Sequence, residues 1–398
     1  MRILLAHNFY SSKTPSGENQ VFEAEKKLLE KNGNEVRVFT KHSDSIAEKG
    51  MLGILDAAIG TPWRSEVKRE IGAILDEYNP DVVHVHNTFP LLSPAIFHGV
   101  GARAARVLTL HNYRLFCPAA IPMRDGKVCT ECLDKRSSKP SVIHGCYRDS
   151  RIATLPMAFN VTLHRMLGTW VKQVDAFIAL SDFQRELMIE AGLPENKVFV
   201  KPNFYPGSPA IIPWAQREPY VVFVGRLTAE KGVVALIKAW QMWGDSAPEL
   251  RIVGDGSLRK ELEHMATGLP IRFLGQVSSK DAEGQIAGAQ LQILPSEWFE
   301  GFPMVIREAF AFGTPAAVSN IGPLPSIVES GINGVVFQPA NPTSLLNVVR
   351  NTWISKGELE RLGAGARAAF EKHYNEFANY SKLMDIYAQA IKVSKNER

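Results

Sequence analysis

Two carboxylates eight positions apart, Glu300 and Glu308, lie in the stretch LPSEWFEGFPMVIREAFAFGTPAAVSN, residues 294–320. Between them are a glycine, a proline and five other residues, of which only Arg307 is charged. LQILPS reads as the end of a strand, and Pro303 as the first turn of a helix, where its missing N–H does no harm. The free N–H groups near Gly301, Phe302, Met304 and Val305 then form an anion site at the helix N-terminus. A carboxylate at Glu300 partly neutralises that site unless it addresses a neutral hydroxylated group, and sugar hydroxyls fit that need. Glu308, one to two turns in, is acceptor-only and can take two donors, such as ribose hydroxyls. The competing reading is a helix with one exposed Glu at its start and one on its solvent face.

Cations occur at a second strand end. In VFVGRLTAEKG, residues 222–232, a strand ends in Gly225, Arg226 follows, and Lys231 and Gly232 precede a helix. Gly225 lets the backbone approach a ligand closely. Arg226 can grip a diphosphate through its fork, and Lys231 as a point charge. The alternative is a plain strand–loop–helix connection with two solvated cations. In IVGDGSLRKELE, residues 252–263, Asp255 or Ser257 reads as a helix cap, so a structural role is favoured there.

The first half offers histidines. His86 in HVHNTFP and His111 in TLHNYR both fall at or just after the carboxyl end of a strand. A histidine there can donate to a substrate hydroxyl or act as a base, whereas His84, inside the strand, reads as structural. The first loop, FYSSKTPSGENQ over 9–20, carries Ser16, Gly17 and Glu18 where ligands often contact such folds. Cys117, Cys129, Cys132 and Cys146 are the only cysteines, and all lie within 30 residues. The central CxxC can bite one metal ion and the outer two can complete an all-thiolate structural zinc site, with His144 as a substitute ligand. Disulfides are the second reading and redox chemistry the third.

What positions these groups is an alternation of strand and helix. Residues 2–6, 35–40, 81–87, 106–112 and 175–181 read as strands, with helices at 21–33 and 67–80 and one opened by Ser181. The Pro-rich stretch 202–219 breaks the pattern and marks a domain boundary. The alternation then restarts at YVVFVG (220–225) and runs to helices at 341–355 and 357–373, then an amphipathic helix from about 376. Two such series predict two doubly wound α/β domains with mostly parallel sheets, whose ligands sit at the carboxyl ends of the strands. Joined by a linker, two such domains leave a central cleft.

Composition sets the outer limits. The chain has 398 residues and a net charge of +4, which does not resemble the concentrated basic face of a nucleic-acid binder. No apolar run reaches the roughly 18 residues that span a bilayer. The start, MRILLAHNFY, reads as a first strand and not a signal peptide, so a cytoplasmic protein with reduced cysteines is expected.

The motifs GRLTAEKG, EGFPMVIREAFAFGTPAAVSN and GINGVVF, with SGENQ, TLHN, LSDFQREL and KPN in the first half, resemble the retaining family-4 glycosyltransferases of the GT-B fold. This large bacterial group builds lipopolysaccharide, exopolysaccharide and related glycans. The likeness covers nearly the whole chain, and the four-cysteine insertion (about 115–150) resembles one subgroup. It implies residues 1–203 as an acceptor-binding Rossmann-like domain and 204–375 as a nucleotide-sugar domain, with the helix about 376–398 packing back on the first. The donor is then a UDP-, GDP- or ADP-linked sugar held by Gly225, Arg226, Lys231, Glu300, Gly301, Phe302, Met304, Val305 and Glu308. Glu300 reads the sugar and Glu308 the ribose.

The resemblance further implies a glycan or lipid-linked acceptor near Ser16, Gly17 and His111. It gives His111, Arg226, Lys231 and Glu300 catalytic roles with retention of configuration and no metal at the reaction centre. Peripheral contact with the cytoplasmic face of the inner membrane fits such acceptors. Two departures stand out: Ser16-Gly17 replaces a common Gly-Gly pair, and Pro303 removes one backbone donor. A sugar-nucleotide epimerase of the same architecture and a non-catalytic binding protein are the alternatives.

Overall fold

The computed structural model describes residues 1–10, 12 and 16–396. Ser11 and residues 13–15 of the first loop, and the last two residues of the expected final helix, lie outside the described residues. The chain divides into two compact units. The first comprises residues 1–122, 129–202 and 379–398, and the second residues 203–378 with the short segment 123–128. Sequence reading assigns the whole insertion to the first domain, whereas Met123–Val128 belongs with the second unit.

The strands, in chain order, are β1 (Arg2–Phe9), β2 (Glu35–His42), β3 (Val82–Asn87), β4 (Ala105–Thr109), β5 (Met123–Arg124), β6 (Lys127–Val128), β7 (Ala176–Ala179) and β8 (Val198–Val200). They continue as β9 (Tyr220–Val224), β10 (Glu249–Val253), β11 (Ile271–Gly275), β12 (Leu291–Leu294), β13 (Ala316–Ser319) and β14 (Gly334–Phe337). The first unit's sheet runs β2-β1-β3-β4-β7-β8 and the second's runs β11-β10-β9-β12-β13-β14, with every described pairing in both parallel. β5 and β6 form a separate antiparallel hairpin. The strand order reverses between β1 and β3 in the first unit and between β9 and β12 in the second. At such a switch point the connecting helices leave on opposite faces, opening a crevice at the carboxyl ends of the strands.

The sequence builds these sheets because both faces must be covered. Along β9, Val221 and Phe223 enter one core cluster with Trp240 and Leu236, while Tyr220 and Val222 enter another with Ile286 and Ala309. Period-two alternation of apolar residues on both sides gives a near-continuous hydrophobic run, as a doubly covered strand requires. In the first unit Ile3, Leu5, Val82, Val107 and Ile178 form one cluster. Leu383, Ile386, Tyr387 and Ala390 of the last helix (Glu376–Asn396) join it.

Helices absent from the sequence reading occupy Asp44–Glu48, Gly50–Gly60 and Arg151–Met166. Among the described residues no helix is long and apolar enough to cross a membrane.

Candidate functional site

In the second unit, Arg226 and Lys231 lie in the loop after β9, and residues 295–303 form the loop after β12. These loops flank the switch point. They are pulled together by backbone: Glu297 N–H donates to Glu230 O at 2.9 Å. Gly232 makes this approach feasible. Its φ is +67°, and a Cβ there would stand 1.9 Å from the carbonyl oxygen of Pro295.

The result is an ion pair between positions far apart in sequence. Lys231 Nζ donates to Glu300 Oε1 at 2.7 Å, Ser296 Oγ to the same oxygen at 2.6 Å, and Trp298 Nε1 at 3.0 Å. Lys231 also sits over the Trp298 ring, 5.3 Å from its centroid. Sequence reasoning places Glu300 as a lone carboxylate beside an anion site. It is instead buried and held by three donors, so Glu300 and Lys231, to which the resemblance gives the sugar and the diphosphate, form one unit. Ser296 and Trp298 were not singled out, though both lie in the stretch that drew attention to Glu300.

The helix after this loop runs Met304–Ala311. Pro303 is its N-cap, with φ −75° and ψ 111°, and not its first helical residue. At the N-cap Pro303 still contributes no N–H, as expected, while Met304 and Val305 keep theirs. Ile306 N–H closes back on Pro303 O at 3.1 Å, and no side chain caps the helix. The first turn carries no acid, so the positive end of the helix dipole is uncompensated. Gly301 and Phe302 lead directly into it.

Glu308 is not on an open solvent face. Its side chain is 15% exposed, and its ionic neighbour among the described residues is Arg307, 3.8 Å away. Burial raises its carboxyl above the ordinary range, Arg307 lowers it, and Glu283 raises it. A carboxylate without a close protein donor at a strand-end helix is suited to accept hydroxyl hydrogens. Arg226, by contrast, is 59% exposed and paired at 3.0 Å with Glu230.

In the first unit a chain of buried polar groups runs beneath the strand ends. Lys201 Nζ donates to Glu25 Oε2 at 2.8 Å and to Asn379 Oδ1 at 3.2 Å. Glu25 Oε1 meets His86 Nε2 at 3.1 Å, and His86 Nδ1 meets His111 Nε2 at 3.1 Å. His84 bonds Tyr387 and Thr109 at 2.8 and 2.7 Å, a structural role. Burial alone would raise the Glu25 carboxyl, but Lys201, His84 and His86 outweigh it and hold Glu25 well below the usual range. Burial and His84 push His86 down to about 4 against the pull of Glu25, and burial lowers His111 further below its ordinary value.

These directions fix the tautomers. An ionised Glu25 only accepts, so His86 donates through Nε2 and its neutral ring presents Nδ1 as an acceptor. His111 then donates through Nε2, and its Nδ1 is left as a hydrogen-bond acceptor at the end of β4. Nothing in the spacing of Glu25 and Lys201 announced this. Among the described residues, Glu25, His84 and His86 are also the one group of three metal-ligating types whose ligand atoms lie within 4.8 Å of one another. Lys201 already supplies its positive charge.

At the first loop, Ser16 caps the helix Gly17–Lys31 by accepting from Asn19 N–H, and Gly17 is exposed. Glu18 Oε1 accepts from Asn112 Nδ2 at 3.0 Å, beside His111 in sequence. Burial raises the Glu18 carboxyl, opposed by Asn112 and Arg114.

The four cysteines form no disulfide. Burial, then the neighbouring Cys132, pushes the Cys117 thiol up to about 12, and burial pushes Cys132 to about 11, with Cys146 and Cys129 adding to it. Among the described residues no three of these cysteines bring their sulfurs within 4.8 Å of one another, so the structure does not assemble the expected all-thiolate site and a divalent cation would have to draw the thiols together.

Comparison with known proteins adds the following. Residues 16–206 match the family model described as Glycosyltransferase Family 4, and residues 208–369 match Glycosyl transferases group 1. The chain is 24% identical over 402 residues to sulfoquinovosyl transferase SQD2 of Arabidopsis thaliana, covering 94% of this chain and 71% of that protein. It is 34% identical over 152 residues to a GDP-mannose-dependent alpha-(1-6)-phosphatidylinositol dimannoside mannosyltransferase of Mycobacterium tuberculosis, over 37% of this chain and 39% of that one. In structure it is similar to Anabaena Alr3699/HepE in complex with UDP, with a TM-score of 0.66, 18% identity, and 98% and 100% of the two chains covered.

Proposed function

We propose, for a chain that is a glycosyltransferase of the GT-B fold, transfer of a sugar from a nucleoside-diphosphate sugar to a glycan or lipid-linked acceptor, with retention of anomeric configuration. The observation that carries this reading is the pair of loops at the second unit's switch point, which brings Lys231 against Glu300 beside an uncapped helix N-terminus. That arrangement suits an anionic diphosphate next to a hydroxylated ring. The UDP bound to the Anabaena protein and the GDP-mannose dependence of the mycobacterial relative support the donor class.

Lys231 spends one of its three ammonium hydrogens on Glu300, which leaves two for phosphate oxygens. Arg226 is exposed and its partner Glu230 is replaceable, so it can swing to the same phosphates. With the N–H groups of Met304 and Val305, these cations neutralise charge as the diphosphate leaves, which is the largest contribution a protein makes to such a step. No metal is required there. Glu300 addresses donor-sugar hydroxyls and Glu308 the ribose. In the first unit, His111 Nδ1 accepts from and orients the attacking acceptor hydroxyl, with Ser16 and Gly17 beside the acceptor path. The leaving phosphate takes the proton on the same face, which gives retention. The four cysteines would hold one structural zinc once drawn together by the ion, and the role is polysaccharide or lipopolysaccharide assembly on the cytoplasmic side of a membrane.

Thermal-shift screening against UDP-, GDP- and ADP-sugars tests the donor class, since a bound donor raises the melting temperature by mass action. Release of nucleoside diphosphate that requires an added acceptor, and that persists in chelator, supports the reading. Donor interconversion without acceptor, or no stabilisation by any nucleotide sugar, overturns it. Elemental analysis under reducing conditions is expected to give about one zinc per chain.

A further inference from the structure

The first unit carries an apolar surface that its core does not explain. The helix Gly50–Gly60 exposes Leu52, Leu55 and Ile59, spaced i, i+3, i+7, with Met51 82% exposed beside them. The helix Arg151–Met166 exposes Ile152, Leu155, Phe159 and Met166 at i, i+3, i+7 and i+14. Both sets lie on one face of their helix, and the two helices pack against each other. The only charge in Gly50–Gly60 is Asp56, which Arg64 neutralises at 3.1 Å. Exposed large apolar side chains at helical spacing on two neighbouring helices mark an interaction surface and not scattered surface residues.

Charge identifies the partner. Residues 135–172 contain seven cations (Lys135, Arg136, Lys139, Arg148, Arg151, Arg165 and Lys172) against one acid, Asp149, a net of +6 by 7 − 1. The whole chain carries only +4, so the rest sums to −2 by 4 − 6. All seven cations are exposed, and among the described residues only Lys135 pairs with a carboxylate, Glu131 at 2.6 Å. Arg136 and Arg165 also line a cavity of about 290 Å³ with Leu133, Trp170 and Val171. A second copy of the chain would bring +6 against +6. A bilayer with anionic headgroups takes apolar side chains and cations together.

We propose that the faces of Gly50–Gly60 and Arg151–Met166, with the cations of residues 135–172, form a docking surface for an anionic lipid bilayer. The apolar side chains enter the headgroup–acyl boundary and the cations meet lipid phosphates, so the protein lies on the membrane and does not span it. The inference deepens the proposed function, because it names the surface on which a lipid-linked acceptor is met. The patch and its charge stand without that reading.

The test is co-sedimentation of the full chain with vesicles, without donor or acceptor. Wild type is expected to pellet with phosphatidylcholine vesicles rich in phosphatidylglycerol, to pellet poorly with phosphatidylcholine alone, and to be released by salt. Leu55→Ser with Leu155→Ser and Phe159→Ser is expected to cut binding at least tenfold. Arg151→Glu with Arg165→Glu is expected to lose roughly fivefold per cation and most of the salt dependence. These side chains are exposed, so unchanged thermal unfolding certifies each variant, and Leu55→Ala with Leu155→Ala serves if a serine variant unfolds. Equal binding to both vesicle types, no binding, or wild-type binding by both variants overturns the proposal. So does a dimer, seen by sedimentation velocity, that the apolar variants dissociate. Transfer to a water-soluble acceptor is read separately. Its loss with vesicle binding intact overturns the proposed function and leaves the surface standing.

Discussion

The two units use ionic groups in opposite ways. In the second, Lys231 and Glu300 pair at the carboxyl edge of the sheet, and Arg226 reaches solvent with a replaceable partner. In the first, Lys201 and Glu25 pair with side chains only 2% and 1% exposed, wired into a row of histidines. A buried pair gains little net stability, because desolvation offsets attraction. It fixes orientation, here the tautomers of His86 and His111. A pair at a strand edge has lost less hydration and can exchange partners. On the proposed function, the difference separates charges that serve a ligand from charges that serve geometry, and each prediction below tests one side of it.

The largest effect is expected from Arg226→Ala combined with Lys231→Ala. Removing the cations that face a leaving diphosphate should lower turnover by about 10³-fold or more, while the fold stays intact by circular dichroism. A double variant with near-normal kcat would move the second unit's ions to the structural side. Next is Glu25→Gln, which leaves Lys201 buried without a counter-charge. Stability should fall by about 3–5 kcal/mol, read by denaturant unfolding, and Glu25→Leu with Lys201→Met should recover most of it. Histidine ring nitrogen shifts in the recovered variant should show mixed tautomers at His111, which a purely structural ion pair would not produce. Glu308→Ala should weaken donor binding by roughly 10- to 100-fold, as loss of hydrogen bonds to a charged group does. Unchanged affinity by calorimetry would remove the ribose assignment.

How much of this the chain announces depends on whether a feature is local. Strands β9 to β14 follow from short runs rich in branched apolar residues bounded by turn residues, which are local signals. Gly50–Gly60 was not legible: GMLGILDAAIG is apolar on nearly every side, so a helical period has no contrast to show. Arg151–Met166 hides behind Pro156, a residue that argues against a helix interior and is tolerated here. At the candidate site, Glu300, Lys231, Arg226 and His111 could be picked out singly, because each stands near a strand end. That Lys231 and Glu300 meet could not, since 69 positions separate them. Glu25 and Lys201, 176 apart, sit in segments that read as an ordinary amphipathic helix and a linker. Only tertiary packing buries them. Pro303 is the N-cap and not part of the first turn, a one-residue shift that local rules do not resolve.

The buried histidines of the first unit also set a pH window. His7 is pushed down to about 3, mainly by burial, and His86 and His164 to about 4. Their unfolded values lie near 6.5. Between those limits the unfolded chain binds more protons than the folded one, so stability is full above about pH 6.5 and falls as pH drops toward 4. The melting temperature should therefore decline steadily over that interval. The histidine contribution has no further slope above pH 7. A flat profile from pH 7 to 4 would show that these rings are solvated.

The smallest effect is the sharpest test of the contrast. Arg226 and Glu230 form an exposed i,i+4 pair, and such pairs contribute about 0.3–0.5 kcal/mol, screened by salt. Arg226→Ala alone should leave the melting temperature almost unchanged. On the proposed function donor affinity should nevertheless fall several-fold, because the guanidinium can no longer make a bidentate phosphate contact. Arg226→Lys should keep the charge and recover only part of the affinity, since a point charge cannot supply the planar fork. If stability and affinity instead fall together, Arg226 holds the loop after β9 in shape, and the strand-edge ions of the second unit would be structural like those buried in the first.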